Sequence, residues 1–416
     1  MKNTTKYIKV SSYEAKIGEA KKVLLLYSGG LDTSVMLKWI QDNYKAQVVT
    51  LTLDLGQQKD DLVAIKKKAL KFGAIKAIVD DAKDEFADEY LALGIMANAS
   101  YQGEYHLSTP IGRAVIAKKA VEYAVKLGCD AIAHGCTGKG NDQVRLDGYI
   151  LTISPGMKII APVREWAMDR EEEIKYAQKY GIPVPASLDF PYSVDDNMWG
   201  MTWEGGEVED FSQIPRIERF LTTYPLAKNA PDEKEFIKLS FEEGIPTELN
   251  GEKMKLSELI IKINSVAGKH GVGVVHMYED RLVGVKDRGV YELPGAHVII
   301  SSHQVLERYV STRVLNELKA QMDLKWAYLC YGALWFDPAM RAINEFNKKV
   351  NERVTGEVTV KLYKGQATVT AVKSPYGLQY ASFNNSEGYK FNTNCSAGFT
   401  EIHSLQMKLW NQLGRK

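Results

Sequence analysis

Lys22-Val-Leu-Leu-Leu-Tyr-Ser-Gly-Gly-Leu-Asp-Thr-Ser34 runs from a continuous apolar stretch into a turn of small residues. Residues 23–26 read as a short strand buried on both faces, and Val35, Met36, Trp39 and Ile40 fall on one stripe at helical spacing. Between strand and helix, Ser28-Gly29-Gly30 lets an anion approach the chain. Glycine has no Cβ to obstruct a phosphate, and the free N–H groups of the following helix's first turn point at it. The hydroxyls of Ser28, Thr33 and Ser34 are further donors.

The same alternation continues outward. Strands are predicted over 48–53, 75–79 and 131–133 and a helix over 61–72, with Gly73 and Gly128 placed to end helices in the left-handed region. This pattern predicts an α/β domain with a doubly wound parallel sheet. Ligands of such sheets bind beyond the carboxyl ends of the strands, so residues 28–30, 54–57 and those after Ala133 are the loops to examine. Gly181-Ile-Pro-Val-Pro185 reads as a linker. Past it, strand-like 273–278 and a pair within 359–372 turned at Lys364-Gly365 mix with helices over 256–267 and 301–319, an α+β character. The expected organisation is a mobile extension over 1–21, a nucleotide-binding domain over 22–185, a second domain over 186–385 and a C-terminal segment over 386–416. In that last segment a helix over 399–413 aligns Ile402, Leu405, Leu409 and Leu413, an apolar face for its own domain or for a neighbouring subunit.

No lysine follows the glycines as in a Walker loop, and no dinucleotide fingerprint is present. The S-G-G-x-D-[ST]-S form resembles the pyrophosphate loop of the N-type ATP pyrophosphatases, which cleave ATP between its α and β phosphates. In that resemblance Asp32 helps hold the Mg²⁺ that accompanies ATP, with no dedicated protein metal site.

Composition narrows the rest. The 416 residues exceed one ordinary core, and 53 basic against 52 acidic side chains leave a net charge of +1, with no polyelectrolyte character to attract nucleic acid. Lys66-Lys67-Lys68 reads as the solvated face of an amphipathic helix. Cys129, Cys136, Cys330 and Cys395 have no C-x-x-C spacing, which suits a reducing cytoplasm and argues against zinc. No run reaches membrane-spanning length, and residues 1–21 lack the apolar core of a secretory signal. His134 and His270 read as structural, and Gly268 to Gly273 as a tight turn or part of a substrate pocket's lining.

His134-Gly-Cys-Thr-Gly-Lys-Gly-Asn-Asp-Gln-Val-Arg145 is the second site loop. Thr137, Asn141 and Asp142 offer both signs of partner to a free amino acid, and Arg145 suits a carboxylate in bidentate fashion. With Ser193-Val-Asp-Asp-Asn-Met-Trp-Gly200, Ala267-Gly-Lys-His-Gly-Val-Gly273 and Lys286-Asp-Arg-Gly-Val-Tyr-Glu292, the chain from Lys22 onward resembles the argininosuccinate synthase family. The resemblance implies ligation of citrulline to aspartate, with ATP converted to AMP and pyrophosphate through a citrulline adenylate, in a cytoplasmic homotetramer of arginine biosynthesis. It places ATP on Leu26, Tyr27, Ser28, Gly29, Gly30, Leu31, Asp32, Thr33, Ser34, Leu53, Gly135 and Asp195. Aspartate falls on Thr137, Asn141 and Asp142. Citrulline falls on Tyr105, Thr109, Asn141, Arg145, Ser193, Thr202, Glu204, Glu279 and Tyr291. Ser28, Asp32 and Asp142 are the candidate catalytic residues.

One departure stands in Thr109-Pro-Ile-Gly-Arg113: Pro110 replaces a family serine that touches citrulline, and it offers only a carbonyl. Asp195 with Asp196 also reads as a helix N-terminal cap region. The rival enzyme reading is an RNA-modifying pyrophosphatase that adenylates a tRNA base, which would be expected to show a basic surface. A nucleotide-sensing subunit on the same sheet would not need a phosphate loop and an amino-acid loop together.

Overall fold

The computed structural model describes residues 7–58, 61–166, 168, 170–184, 192–221, 223–379, 392 and 394–414. They form two compact units, one up to Tyr376 and one from Gly377. The first is built on the expected parallel sheet: β1 (Lys22–Leu26), β2 (Gln47–Asp54), β3 (Lys76–Asp81), β4 (Ala131–Ala133) and β5 (Lys158–Ile160), in the order β3-β2-β1-β4-β5. The order reverses between β1 and β4, which opens a crevice at their carboxyl ends. Both faces of β1 are covered: Val23 and Leu25 pack with Met36, Leu37 and Ile40 of the Leu31–Tyr44 helix, and Leu24 packs with Val115 and Ile111 of the Ser108–Leu127 helix. Asp61 accepts from the Ala64 N–H at 2.9 Å to start the Leu62–Lys71 helix. Gly73 then turns the chain at φ +94°.

Beyond the linker two antiparallel sheets follow. One is made of β6 (Ser193–Asn197), β7 (Gly200–Glu204), β11 (Val274–Asp280) and β12 (Lys286–Glu292), in the order β11-β12-β7-β6. The other runs β10-β9-β8-β13-β14, from β8 (Glu235–Glu242), β9 (Ile245–Leu249), β10 (Glu252–Lys253), β13 (Gly356–Tyr363) and β14 (Gln366–Lys373). The β13–β14 turn falls at Lys364 and Gly365, with φ of 45° and 82°, the paired left-handed residues a two-residue hairpin requires. One apolar cluster runs from Leu24 in β1 through Ile260 in the Leu256–Lys269 helix to Leu362 in β13, so both expected domains share a core within the first unit. The expected boundaries at 185/186 and 385/386 lie outside the described residues.

Three expectations are corrected. A single helix over 301–319 becomes two, Pro294–Val310 and Arg313–Tyr331, because Thr312 adopts an extended backbone and its hydroxyl caps the second helix at Leu315 N–H. Asp195 and Asp196 lie on β6, not at a helix start. The segment before Lys22 does not run free over its described part: the Ala15 N–H donates to Ile159 O at 3.0 Å, and Glu14, Ala15 and Ala20 are buried. The second unit carries the helix Cys395–Leu413, on which Ile402, Leu405, Leu409 and Leu413 are all exposed.

Candidate active site

A cleft of about 500 Å³ opens at the carboxyl ends of β1, β2 and β4 and is faced by the β11-β12-β7-β6 sheet. All the residues expected at the site line it except Gly29, Gly30, Leu31, Asp32 and Ser34. At the phosphate end Ser28 and Thr33 face the cleft. Gly29 has φ +78°, and a Cβ there would lie 2.6 Å from Ile65 Cγ1. Gly30 starts the helix, and its N–H is held only weakly, 3.5 Å from Ser28 Oγ. The Ser34 hydroxyl is no donor to a ligand, because it is buried and donates to Gly30 O at 2.7 Å while meeting Tyr27 Oη at 2.9 Å. Leu31 packs with Ala177 and Ile182. Leu31 and Ser34 therefore contribute backbone alone.

Asp32 is exposed beside this loop, and Arg170 donates to it at 2.7 Å and to Glu173 at 2.9 Å. Burial and the neighbouring Asp32 charge push the Glu173 carboxyl above its ordinary range.

The second loop is held by charge. Arg113 donates to Asp142 at 2.7 Å and also pairs with Asp195, while Arg145 donates to Asp142 at 2.9 Å. Burial alone would raise the Asp142 carboxyl, but the two guanidinium groups outweigh it and hold the group well below the usual carboxylate range. A carboxylate so stabilised is a poor proton acceptor, which favours anchoring over proton transfer at Asp142. Asn141 clamps two elements: its amide donates to Tyr331 Oη at 2.8 Å and its carbonyl accepts from the Leu282 N–H at 2.8 Å. One N–H remains for a substrate. His134 sits under the loop with Nε2 at 2.6 Å from Asp147, and its Nδ1 accepts from the Cys136 N–H. Both contacts orient the loop, and elsewhere in the fold His270 meets Glu235 at 3.0 Å, tying its turn to β8.

The far end follows from strand register. Asp195, Thr202 and Tyr291 stand abreast across β6, β7 and β12, Ser193 stands opposite Glu204, and Glu279 opposite Asp287. Glu204, Glu279 and Asp287 bring carboxylate oxygens within 4.8 Å of one another. Arg281 donates to Glu204 at 2.8 Å and pairs with Asp287. Burial dominates all three acids, pushing Glu204 up to about 7 and raising Glu279 and Asp287. Glu279 accepts from Tyr291 Oη at 3.0 Å through one oxygen, the Tyr331 hydroxyl also acts on the carboxylate, and the other oxygen is buried without a hydrogen bond of ordinary geometry. Three acids against one guanidinium, with a buried acceptor unfilled, make a seat for an ammonium group. Tyr105 stacks on Tyr291 at 4.2 Å and Thr109 meets Thr202 at 3.2 Å, closing this end with aromatic and hydroxyl surface.

The description "Arginosuccinate synthase N-terminal HUP domain" matches residues 22–183, and "Arginosuccinate synthase C-terminal domain" matches residues 192–410. The chain belongs to the argininosuccinate synthase family. An argininosuccinate synthase of Pyrococcus furiosus is 47% identical over 389 residues, covering 93% of this chain and 94% of that one. One of Symbiobacterium thermophilum is 45% identical over 392 residues, covering 94% and 97%. A solved U34-tRNA thiolase from Methanococcus maripaludis aligns with 42% of this chain and 64% of its own at 16% identity and a TM-score of 0.27, too slight a likeness to bear on function.

For a member of the argininosuccinate synthase family, two residues beyond those expected stand out in the cleft. Arg113 lies four residues after Thr109 on the Ser108–Leu127 helix, so helical spacing alone puts it on the site face. Tyr331 offers its carbonyl to Arg145 at 3.1 Å and its ring to the same guanidinium at 4.8 Å. It arrives from the end of the Arg313–Tyr331 helix, and no local motif marks it. Pro110 lies within the first turn of its helix and is buried. The 268–273 turn, with Gly271 at φ +69° and Gly273 at φ +84°, is not part of the cleft lining.

Proposed function

We propose that this cleft ligates citrulline to aspartate at the expense of ATP, yielding argininosuccinate, AMP and pyrophosphate. The observation that carries the reading is the pairing of opposite demands in one cleft. The Ser28 and Thr33 hydroxyls, flanking the glycine turn and helix start, stand at one end, and a buried carboxylate oxygen with no hydrogen-bond partner stands at the other.

The ureido oxygen of citrulline is a poor leaving group until it is esterified. With the ATP phosphates on the 28–30 loop, that oxygen attacks the α-phosphorus as pyrophosphate departs. The amine of aspartate then attacks the activated carbon and AMP leaves. Arg145 takes the citrulline carboxylate, Glu279 its ammonium, and Tyr291, Thr202 and Ser193 the remaining polar groups. Thr137, Asn141 and Asp142 anchor aspartate, while Asp195 and the backbone at Gly135 and Leu53 border the nucleotide. Catalysis here rests on positioning and charge stabilisation, with no side chain forming a covalent bond to substrate. Asp32 fits Mg²⁺, being an exposed hard oxygen donor beside the loop with Arg170 and Glu173 as neighbours, and the ion would neutralise departing pyrophosphate.

The same reading includes a cytoplasmic homotetramer assembled through the Cys395–Leu413 helix, whose exposed apolar residues support it. No described helix is long and apolar enough to cross a membrane. The decisive experiment is a product analysis omitting each amino acid in turn. AMP and pyrophosphate should form only with citrulline present, and citrulline bearing heavy oxygen on its ureido group should pass the label to AMP. ADP with orthophosphate would overturn the reading. Sedimentation after deletion of the residues beyond 399 tests the assembly, and an unchanged mass would remove the helix from it.

A further inference from the structure

The Lys66-Lys67-Lys68 run does not behave as one solvated face. Lys66 and Lys67 are exposed, but Lys68 is half-buried and its ammonium donates to the carbonyl of Gly29 at 2.6 Å. Among the described residues no carboxylate lies within salt-bridge distance of it, and burial lowers its pKa from the ordinary lysine value. One helix turn earlier, Ile65 sits where a Cβ on Gly29 would have to be. The Leu62–Lys71 helix thus grips one peptide of the phosphate loop twice, by shape at Gly29 Cα and by charge at Gly29 O.

A trans peptide holds its C=O and the next N–H on opposite sides. Fixing the Gly29 carbonyl toward Lys68 therefore turns the Gly30 N–H the other way. The loop has no lysine of the Walker kind after its glycines, so a cation brought in from the next helix fills a chemical gap the sequence leaves open.

We propose that Lys68 is a positioning residue for the pyrophosphate end of ATP, orienting the Gly29–Gly30 peptide and setting a positive charge behind the phosphate loop. This rests on the AMP-forming reading above. It is tested on the full chain with Lys68→Met, Lys68→Gln, Lys68→Arg and the exposed neighbour variant Lys67→Met. The readouts are the KM of each substrate, inhibition by inorganic pyrophosphate, and thermal midpoint.

Lys68→Met should raise the KM for ATP and the inhibition constant of pyrophosphate by roughly tenfold, the scale of one charge-assisted hydrogen bond. Citrulline and aspartate KM should stay within about twofold of wild type on the same scale. Lys68→Arg should recover most of the loss, and Lys67→Met should match wild type. Lys68→Gln keeps an N–H for the Gly29 carbonyl without the charge, so it should still weaken pyrophosphate several-fold, and it decides the matter if the methionine variant does not fold. Unchanged pyrophosphate inhibition in Lys68→Gln, or KM values for all three substrates rising together, would overturn the proposal. Wild-type protein that forms ADP instead of pyrophosphate would overturn the reading beneath it, a result visible before any variant is made.

Discussion

At the 28–30 loop the groups presented to a ligand are backbone N–H donors and the hydroxyls of Ser28 and Thr33, held among themselves only by contacts of 3.3–3.5 Å. At the 137–145 loop and the β7–β12 face the charged groups that line the cleft already have partners: Asp142 two arginines, Arg145 the Tyr331 carbonyl, Glu204 the Arg281 guanidinium. The first end is made by chain direction and tolerates few side chains. The second is made by side chains from four separate segments and is rigid only while their charges balance. An anion with several equivalent oxygens can be met by any convergent set of donors, whereas two zwitterions of similar size must be told apart by fixed charges.

The largest effect should come from unbalancing the second end. Asp142→Ala leaves the buried Arg145 without its acid and part-buried Arg113 with Asp195 alone, and should lower folding stability by on the order of 3 kcal/mol, read by urea denaturation. Loss of less than about 1 kcal/mol, the value of a surface pair, would mean the cluster is solvated. Arg145→Lys keeps the charge but not the planar fork, and should cut kcat/KM for citrulline by roughly a hundredfold.

Next in size is Glu279→Gln, which replaces an acceptor with a donor where an ammonium is to sit. The citrulline KM should rise by about tenfold or more with little change for aspartate. Equal shifts for both amino acids would dissolve the distinction between the two binding regions. Asp32→Asn, at the first end, should instead lower turnover and raise the Mg²⁺ concentration required.

Much of the first end was legible because its signal is local: a strand, two glycines and a helix within thirteen residues, in a chain whose alternation fixes a parallel sheet. Arg145, Asp142 and Asn141 were found for the same reason, lying together on one loop and helix start. Their partners were not. Tyr331, which holds Asn141 and Arg145, and Arg281, which holds Glu204, come from segments distant in sequence, and only strand register and helix packing bring them in. Family resemblance supplies Glu279 and Tyr291, but the unfilled Glu279 oxygen and the doubly held Asp142 follow from the fold alone. Ser34 shows the opposite failure, a hydroxyl in the right motif whose hydrogen bonds are spent inside the loop.

A pH test sharpens the comparison more gently. Burial pushes the Glu204 carboxyl up to about 7, above its ordinary 4.5, against the pull of Arg281. A raised acid adds stability that is fully present below pH 4.5 and is lost as pH climbs through about 7. Glu204→Gln should flatten that part of the thermal midpoint profile and lift the midpoint above wild type on the alkaline side. An identical profile would place Glu204 in solvent.

The smallest effect separates neighbours within the first end. Gly30→Ala meets nothing nearer than Ser28 Oγ at 3.5 Å and should leave stability almost unchanged, so any loss of ATP affinity reports phosphate contact there. Gly29→Ala combines φ +78° with the Ile65 clash and should cost more, about 1–2 kcal/mol or above.

The segment before Lys22 lies outside the family match, yet Tyr13 donates to Asp147 at 3.2 Å, and Asp147 holds His134 of the amino-acid loop. Glu14 and Ala15 also occupy the outer side of β5, the last strand of the parallel sheet. A chain beginning at Lys22 would leave a bare strand edge, the surface on which sheets of separate molecules stick together. For anyone producing a trimmed version of this enzyme, clumping would arrive before any fault in catalysis was measured.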